Sequence, residues 1–274
     1  AGHEVHLVRM RRSIRPFSDA AAFAKLFGIM RRGRFDIVHT HSSKAGILGR
    51  AAAWLAGVSV RVHTPHVLPF VQRAGGIVRG MYRVIETAAA GVTTRMVALS
   101  LHEKAEMLAS GVARDAQVTI VHNGIDMRMP ASPAAVWDKR GELGASEGDF
   151  LVGAVGRLVE PKGHSVLAQA ARRVIDARPN ARFVIAGDGP LREMIQDDID
   201  RLGLGERFQL LGQRDDVREL LPALDLFVLP SLWEAMPYTI LEAHDAARAI
   251  VASDVCGLGE FLPEGVLVPP EDPE

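Results

Sequence analysis

The stretch Leu226-Phe-Val-Leu-Pro-Ser231-Leu-Trp-Glu234-Ala-Met-Pro237-Tyr-Thr-Ile-Leu-Glu242-Ala243 sets the reading of the whole chain. Its first four residues are an uninterrupted apolar run, the mark of a strand buried on both faces of a parallel sheet. Pro237 stands where a helix begins, a position that loses nothing by lacking a backbone N–H. The free N–H groups expected at Tyr238, Thr239 and Ile240 would point beyond the strand end, where an anion such as phosphate fits. Glu234 lies in the turn before the helix and Glu242 on the helix, eight residues later. Carboxylates do not bind an anion; they accept hydrogen bonds from hydroxyls. The expected ligand therefore carries both phosphate and sugar, and the pattern predicts a nucleotide-sugar.

Working outward, short apolar strands alternate with helical stretches along the whole chain, as in parallel sheets covered on both faces. The first series of expected strands is Val5–Val8, Asp36–Thr40, Val58–His63, Met96–Ser100 and Val118–His122. The second is Phe150–Val155, Arg182–Ala186, Phe208–Leu211, Leu226–Leu229 and Ile250–Ser253. Helices are expected at Ala45–Leu55, closed by Gly57, at His164–Ala177, closed before Pro179, and at Leu191–Leu202. The segment from Asp126 to Asp149 is rich in Pro, Ala, Ser and charge and reads as a connection, with a helical turn at Asp138–Leu143. The predicted fold class is α/β, two Rossmann-like domains with parallel sheets facing each other across a cleft. The expected boundaries are 1–126 for the first domain, 127–149 for the linker and 150–274 for the second. Ligands of such sheets bind beyond the carboxyl ends of the strands, so residues there carry the chemistry.

The bulk numbers agree with this reading and exclude several others. A length of 274 residues accommodates two ordinary domains. The net charge of −1 gives no electrostatic case for a nucleic-acid partner. Cys256 is the single cysteine, which excludes an internal disulfide framework and fits a reducing compartment, the cytoplasm. No apolar run approaches the roughly 20 residues that a membrane span needs. The start is no signal peptide, since it lacks a basic head before an apolar core. It enters at an expected strand without Met, and the end stops just after another, so the chain reads as trimmed at both ends.

The octapeptide Gly156-Arg157-Leu-Val-Glu-Pro-Lys162-Gly163 follows the strand Phe150–Val155 and sets two cations five residues apart around a Pro-Lys-Gly turn. Arg157 can grip a diphosphate in bidentate fashion, and Lys162 adds a mobile point charge. Neutralising a leaving diphosphate is where such a pair would stabilise a transition state most. Gly187-Asp-Gly189-Pro190, after the strand Arg182–Ala186, allows a sharp turn, although Gly-x-Gly-x-x-Gly follows no strand here.

Four histidines gather near two strand ends of the first half: His39, His41, His63 and His66. Alternation puts His39 and His41 on one face, with His41 at the strand exit. His39 and His63 are expected to be buried and satisfied by hydrogen bonds, and His66, in a turn just past its strand, is the candidate active-site group. Zinc is not expected, because the cluster brings no Cys, no i, i+4 histidine pair and no nearby carboxylate. Ser42-Ser43-Lys44 opens a helix, with a serine able to cap it and, alternatively, a second anion site for a phosphorylated acceptor. Asp198-Ile-Asp200 has the look of a metal-binding Asp-x-Asp, but within a helix residues i and i+2 point apart, so it reads as a solvated face. The segment Leu68–Ala90 carries Arg73, Arg79 and Arg83 among Phe70, Val71, Ile77 and Met81, and reads either as a core-facing helix or as a basic amphipathic element on an anionic bilayer.

Taken together, these motifs resemble glycosyltransferase family 4, the retaining enzymes of GT-B fold, over nearly the whole chain. The family's Glu-x7-Glu signature stands here as Glu234 and Glu242, and its diphosphate pair as Arg157 and Lys162. By that resemblance Glu242 would hold ribose hydroxyls and Glu234 a hydroxyl of the donor sugar. The amides near Tyr238–Ile240 would hold phosphate, Gly187 would line the donor site, and Gly212–Arg214, including Gln213, would lie near the base. His66 would contact the donor sugar at the reaction centre, leaving His41, Ser42 and Lys44 on the acceptor side.

The implied reaction passes a sugar from a UDP- or GDP-linked donor to a glycan or lipid-linked acceptor with retention, without metal or further cofactor. It belongs to surface-glycan, exopolysaccharide or lipopolysaccharide synthesis, often at the inner face of the cell membrane. A nucleotide-sugar epimerase of the same fold and a nucleotide-sugar-binding module without activity are the alternatives. Val67 and Ala235 replace glycines usual in the family, and Leu258 replaces a small or polar residue.

Overall fold

The computed structural model describes residues 3–11, 13–68, 76–127 and 129–274. Contacts divide the chain into two compact units, Ala1–His122 and Asn123–Glu274.

The first unit runs α1 (Pro16–Gly33), β1 (Ile37–His41), α2 (Ser43–Leu55), β2 (Val60–Thr64), α3 (Gly76–Gly91), β3 (Arg95–Ala98), α4 (Leu101–Ala109) and β4 (Val118–Ile120). All four strands are parallel, in the order β1-β2-β3-β4. Buried between helices α2 and α3 is an ion pair, Arg50 to Glu86 at 2.6 Å, with both side chains sealed from solvent. One expected strand is absent: Val5–Val8 is irregular, with Val5 76% and Leu7 81% exposed. An alternating segment becomes a strand only when a neighbour completes its hydrogen bonds, and among the described residues β1 pairs with β2 alone.

The second unit runs α5 (Pro133–Glu142), β5 (Phe150–Val155), α6 (His164–Ala177), β6 (Ala181–Ala186), α7 (Arg192–Arg201), β7 (Phe208–Gly212), α8 (Val217–Leu220), β8 (Leu226–Leu229), α9 (Tyr238–Asp245), β9 (Ala249–Ser253) and β10 (Leu267–Val268). The six parallel strands lie in the order β10-β9-β8-β5-β6-β7. Along β6, Phe183 and Ile185 enter one apolar cluster while Val184 and Ala186 enter the other, so both faces are covered. That is why these strands read as continuous apolar runs. Strand order reverses between β5 and β8, and a sheet of this kind opens its ligand crevice at that point, beyond the carboxyl ends.

Of residues 127–149, expected as a connection, the described stretch 129–149 packs as part of the second unit. Helix α5 starts at Pro133, with the Ser132 hydroxyl accepting the Ala135 N–H at 3.2 Å. Leu143 and Ala145 enter the core. Arg140 donates to the carbonyls of Ala223 (2.8 Å) and Asp149 (2.7 Å) and pairs with Asp225 at 3.0 Å. The bonding of a charged side chain to distant backbone carbonyls has no signature in local composition. The Asp198–Asp200 stretch lies on α7, with Asp198 paired to Arg201 at 2.5 Å and Asp200 accepting from Gln196 at 3.0 Å.

Candidate functional site

The loops that follow β5 and β8 meet at the reversal point of the second sheet. The Leu232 N–H donates to the Pro161 carbonyl at 2.8 Å, which joins the two loops. Gly163 makes this approach feasible: its φ is +62°, and a Cβ there would lie 1.9 Å from the Pro230 carbonyl oxygen. Only glycine tolerates both conditions. The turn carries the Lys162 side chain along Gly156 and brings its ammonium 2.5 Å from Glu234 Oε1. The same carboxylate oxygen accepts from the Ser231 hydroxyl at 2.7 Å. Glu234 is nearly buried, its side chain 9% exposed, whereas Lys162 keeps a quarter of its surface, 25%, open.

The third contribution comes from the start of α9. Pro237 occupies the N-cap with no side-chain cap, and the amides of Tyr238 and Thr239 have no backbone acceptor among the described residues. The amide of Ile240, expected to be free, donates to the Pro237 carbonyl at 3.3 Å, because the helix opens with a tight turn. Two amides therefore remain for an anion at the positive end of the helix. Arg157 extends into solvent with its guanidinium unpaired among the described residues. One oxygen of Glu242 accepts from Arg218 Nε at 3.4 Å. Arg218 escaped sequence reasoning, since a lone arginine on the four-residue helix α8 carries no motif.

Gly187 holds the β6 exit against the β5 exit. Its φ is +152°, a Cβ there would lie 1.9 Å from the Gly156 carbonyl oxygen, and its N–H donates to the Gly212 carbonyl at 2.8 Å. Gln213 is exposed beyond β7. Arg214, placed near a base by resemblance, sits in an ion network. It pairs with Glu142 and with Asp216, each at 2.5 Å, and Lys139 pairs with the same two carboxylates, each at 2.7 Å. Those bonds hold Glu142 and Asp216 below the usual carboxylate range.

A second residue missed from sequence is His164, the first of α6, packed beside Gly156 and 4% exposed. Burial, with the Lys162 charge next to it, lowers its pKa to about 4, against a smaller upward pull from the Gly156 and Arg157 backbone. It is neutral at the edge of the cation pair.

In the first unit, His41 and His66 stand at the carboxyl ends of β1 and β2 and share a hydrogen bond, Nδ1 to Nε2, at 2.9 Å. His66 adopts φ +56° and Val67 φ +95°, the latter an outlier for a β-branched residue. Glu103, 4% exposed, holds that turn by accepting the Val67 N–H at 3.1 Å and the Leu99 N–H at 2.7 Å. Burial first, and the neighbouring His41 second, lower the His66 pKa. His63 is buried as expected and bonds the Thr40 hydroxyl at 2.9 Å, and desolvation lowers its pKa to about 3. His39, expected to be buried, is exposed, although its ring bonds the Thr64 hydroxyl at 2.8 Å. It shares the open face of β1 with Ile37 and His41, while Thr40 faces the packed side.

Ser42 holds the N-cap of α2 at φ +63° but makes no side-chain cap, contrary to expectation. A left-handed N-cap aims the hydroxyl away from the first-turn amides, which capping reaches from an extended backbone. Lys44 spends its donors on Asp19 (2.5 Å) and on the carbonyls of Arg11 (3.0 Å) and Ser13 (2.7 Å), leaving none for an anion. Among the described residues no group of three His, Cys, Asp or Glu side chains could hold a metal ion.

Residues 1–124 match the family model described as glycosyl transferase 4-like domain, and residues 149–274 the model described as glycosyl transferases group 1. Over 250 residues the chain is 36% identical to UDP-Gal:alpha-D-GlcNAc-diphosphoundecaprenol alpha-1,3-galactosyltransferase of Escherichia coli, covering 90% of this chain and 65% of that protein. It is 31% identical over 245 residues to alpha-maltose-1-phosphate synthase of Mycolicibacterium smegmatis, covering 84% of this chain and 62% of the relative. The chain thus spans less than two thirds of the length of either. Among solved structures, Anabaena HepE in complex with UDP and glucose superposes with a TM-score of 0.81 at 23% identity, covering 92% of this chain and 69% of that one.

Proposed function

The chain belongs to the family 4 glycosyltransferases and has their GT-B fold, and from that premise we propose that the protein transfers a glycosyl group from a UDP-sugar to an acceptor hydroxyl with retention. One observation carries the reading: Lys162 and Glu234 meet at the reversal point of the second sheet, with Arg157, unpaired among the described residues, and the open end of α9 on the same two loops. Arg157, Lys162 and the Tyr238 and Thr239 amides supply positive charge where a diphosphate departs. Glu234 and Glu242 accept from hydroxyls of the donor sugar and the ribose. The bond from the anomeric carbon to the diphosphate oxygen breaks, the bond to the acceptor oxygen forms, and the departing diphosphate takes the acceptor proton. With cations and amides balancing that charge, the step needs no metal ion. His66, lowered towards its neutral form, contacts the donor sugar, and His41 with Ser42 faces the acceptor.

For the acceptor we propose a lipid-diphosphate-linked glycan, because the Escherichia coli relative is named for transfer to GlcNAc-diphosphoundecaprenol. A bilayer-bound acceptor agrees with α3, whose Ile77, Met81 and Val84 form an exposed apolar stripe at helical spacing (91%, 43% and 69% exposed), with Arg79 and Arg83 on the same helix. No described helix is long and apolar enough to cross a membrane, and on the strength of the α3 stripe the proposed contact is peripheral, at the inner face. Phe70, Val71 and Arg73 of that segment lie outside the described residues.

The test incubates the protein with UDP- and GDP-sugars, with and without a lipid-linked acceptor, and follows nucleotide release and product. Acceptor-dependent UDP release supports transfer. Conversion of the free donor to an isomer would indicate an epimerase, and binding without turnover a module.

A further inference from the structure

We propose that Asn123 is a positioning residue for the donor site, fastening the loop that carries Glu234 and opens α9; the inference rests on the donor-site reading above. Asn123 is the first residue of the second unit. Its side-chain amide donates to the Met236 carbonyl at 2.7 Å, and its backbone N–H approaches Met236 Sδ at 3.1 Å. Met236 is 7% exposed and lies two residues after Glu234 and immediately before Pro237, the N-cap of α9.

The loop between β8 and α9 has no regular structure. Its first half is secured by the Leu232–Pro161 bond and by Ser231 and Lys162 on Glu234. For its second half, up to Pro237, the hydrogen bonds from outside α9 among the described residues come from Asn123 alone. The peptide group is planar, so fixing the Met236 carbonyl fixes the Met236–Pro237 plane; the proline ring sets the next φ and the Ile240–Pro237 bond holds the turn, so the Tyr238 and Thr239 amides follow that plane. An amide side chain suits the position: aspartate would set a carboxylate, an acceptor only, against the Met236 carbonyl. Three residues further on, the Asp126 carbonyl accepts from Arg218, whose Nε bonds Glu242. The short segment 123–126 therefore steadies the supports of both donor-site carboxylates.

The experiment uses the full chain, with UDP affinity measured by titration calorimetry and amide hydrogen exchange followed over residues 232–240. Asn123→Ala is expected to weaken UDP binding by about tenfold, the scale of one well-formed hydrogen bond and the order it imposes. It should also speed exchange over 232–240 while β5 and β6 stay protected. Asn123→Asp should reproduce both effects, and Met236→Leu, which keeps the carbonyl, should leave exchange over 232–240 near that of the parent. Parent-like exchange there in Asn123→Ala overturns the proposal, and so does a general loss of protection in β5 and β6, which would make Asn123 a folding residue only. If the parent protein binds no UDP, the donor-site reading fails, while the exchange comparison still decides whether Asn123 holds the loop.

Discussion

Replacing Gly163 by alanine should separate the two loops of the donor site, and Gly203 provides the matched control. The two glycines adopt nearly the same backbone angle, φ +62° and +63°, yet their surroundings differ completely. A Cβ at Gly203 meets nothing within 4 Å, whereas one at Gly163 would lie 1.9 Å from the Pro230 carbonyl oxygen and 2.9 Å from its carbon. Gly203→Ala should therefore lose only the left-handed penalty, about 1–2 kcal/mol. Gly163→Ala incurs the same penalty and must also push the β5 loop off the β8 loop by more than an ångström. That displacement breaks the Leu232–Pro161 hydrogen bond, worth about 1 kcal/mol net, and draws Lys162 away from Glu234. The sum is about 2–4 kcal/mol, which for a unit of this size lowers the melting temperature by roughly 10 °C. Differential scanning calorimetry gives the stability and UDP titration the site. The expected pattern is a larger melting shift for Gly163→Ala than for Gly203→Ala, with UDP affinity lost in the former alone. Equal shifts, or unchanged UDP affinity in Gly163→Ala, would refute the idea that contact of the two loops builds the site.

Other outcomes test the electrostatics. Arg157→Ala should weaken UDP binding by about 1.5–3 kcal/mol without altering the melting temperature, since the guanidinium is unpaired in the described structure. Arg214→Ala should change UDP affinity little, because its Nε and Nη2 bond Glu142 and Asp216; a large drop would assign Arg214 to the base site. Glu242→Ala should weaken binding of UDP itself, whereas Glu234→Ala should mainly lower kcat, and steady-state kinetics with calorimetry separates the two. His164, with its pKa lowered to about 4, stays neutral in the fold while the unfolded imidazole takes up a proton below about 6.5. The unfolded state then binds more protons, so this contribution is complete above pH 6.5 and is lost as pH falls towards 4, by about 3 kcal/mol in all. Urea midpoints across that window should fall in the parent protein and fall less in His164→Gln.

Much of the architecture follows from local pattern. Apolar runs such as Leu226–Leu229 and Phe150–Val155 form the expected strands with the expected bounds, and His164–Ala177 forms the expected helix. Val5–Val8 shows the limit, for an alternating pattern states only that one face is apolar and cannot supply the partner strand. The same limit applies to His39, whose exposure depends on which face of β1 a helix covers.

Strand, turn and helix signals act through neighbours a few residues away, so the sequence alone determined the succession of elements, the positions of Glu234 and Glu242, and the cation pair. The tertiary structure decided which side chains are free. It left Arg157 open among the described residues, joined Lys162 to Glu234, set Arg214 and Lys44 in ion pairs, buried His164 beside Gly156, and brought Arg218 and Asn123 to the donor site from remote positions. A charged or amide group forms its bonds with whatever the folded chain sets within about 3 Å, and that neighbourhood is fixed by packing across the whole unit, not by spacing along the chain.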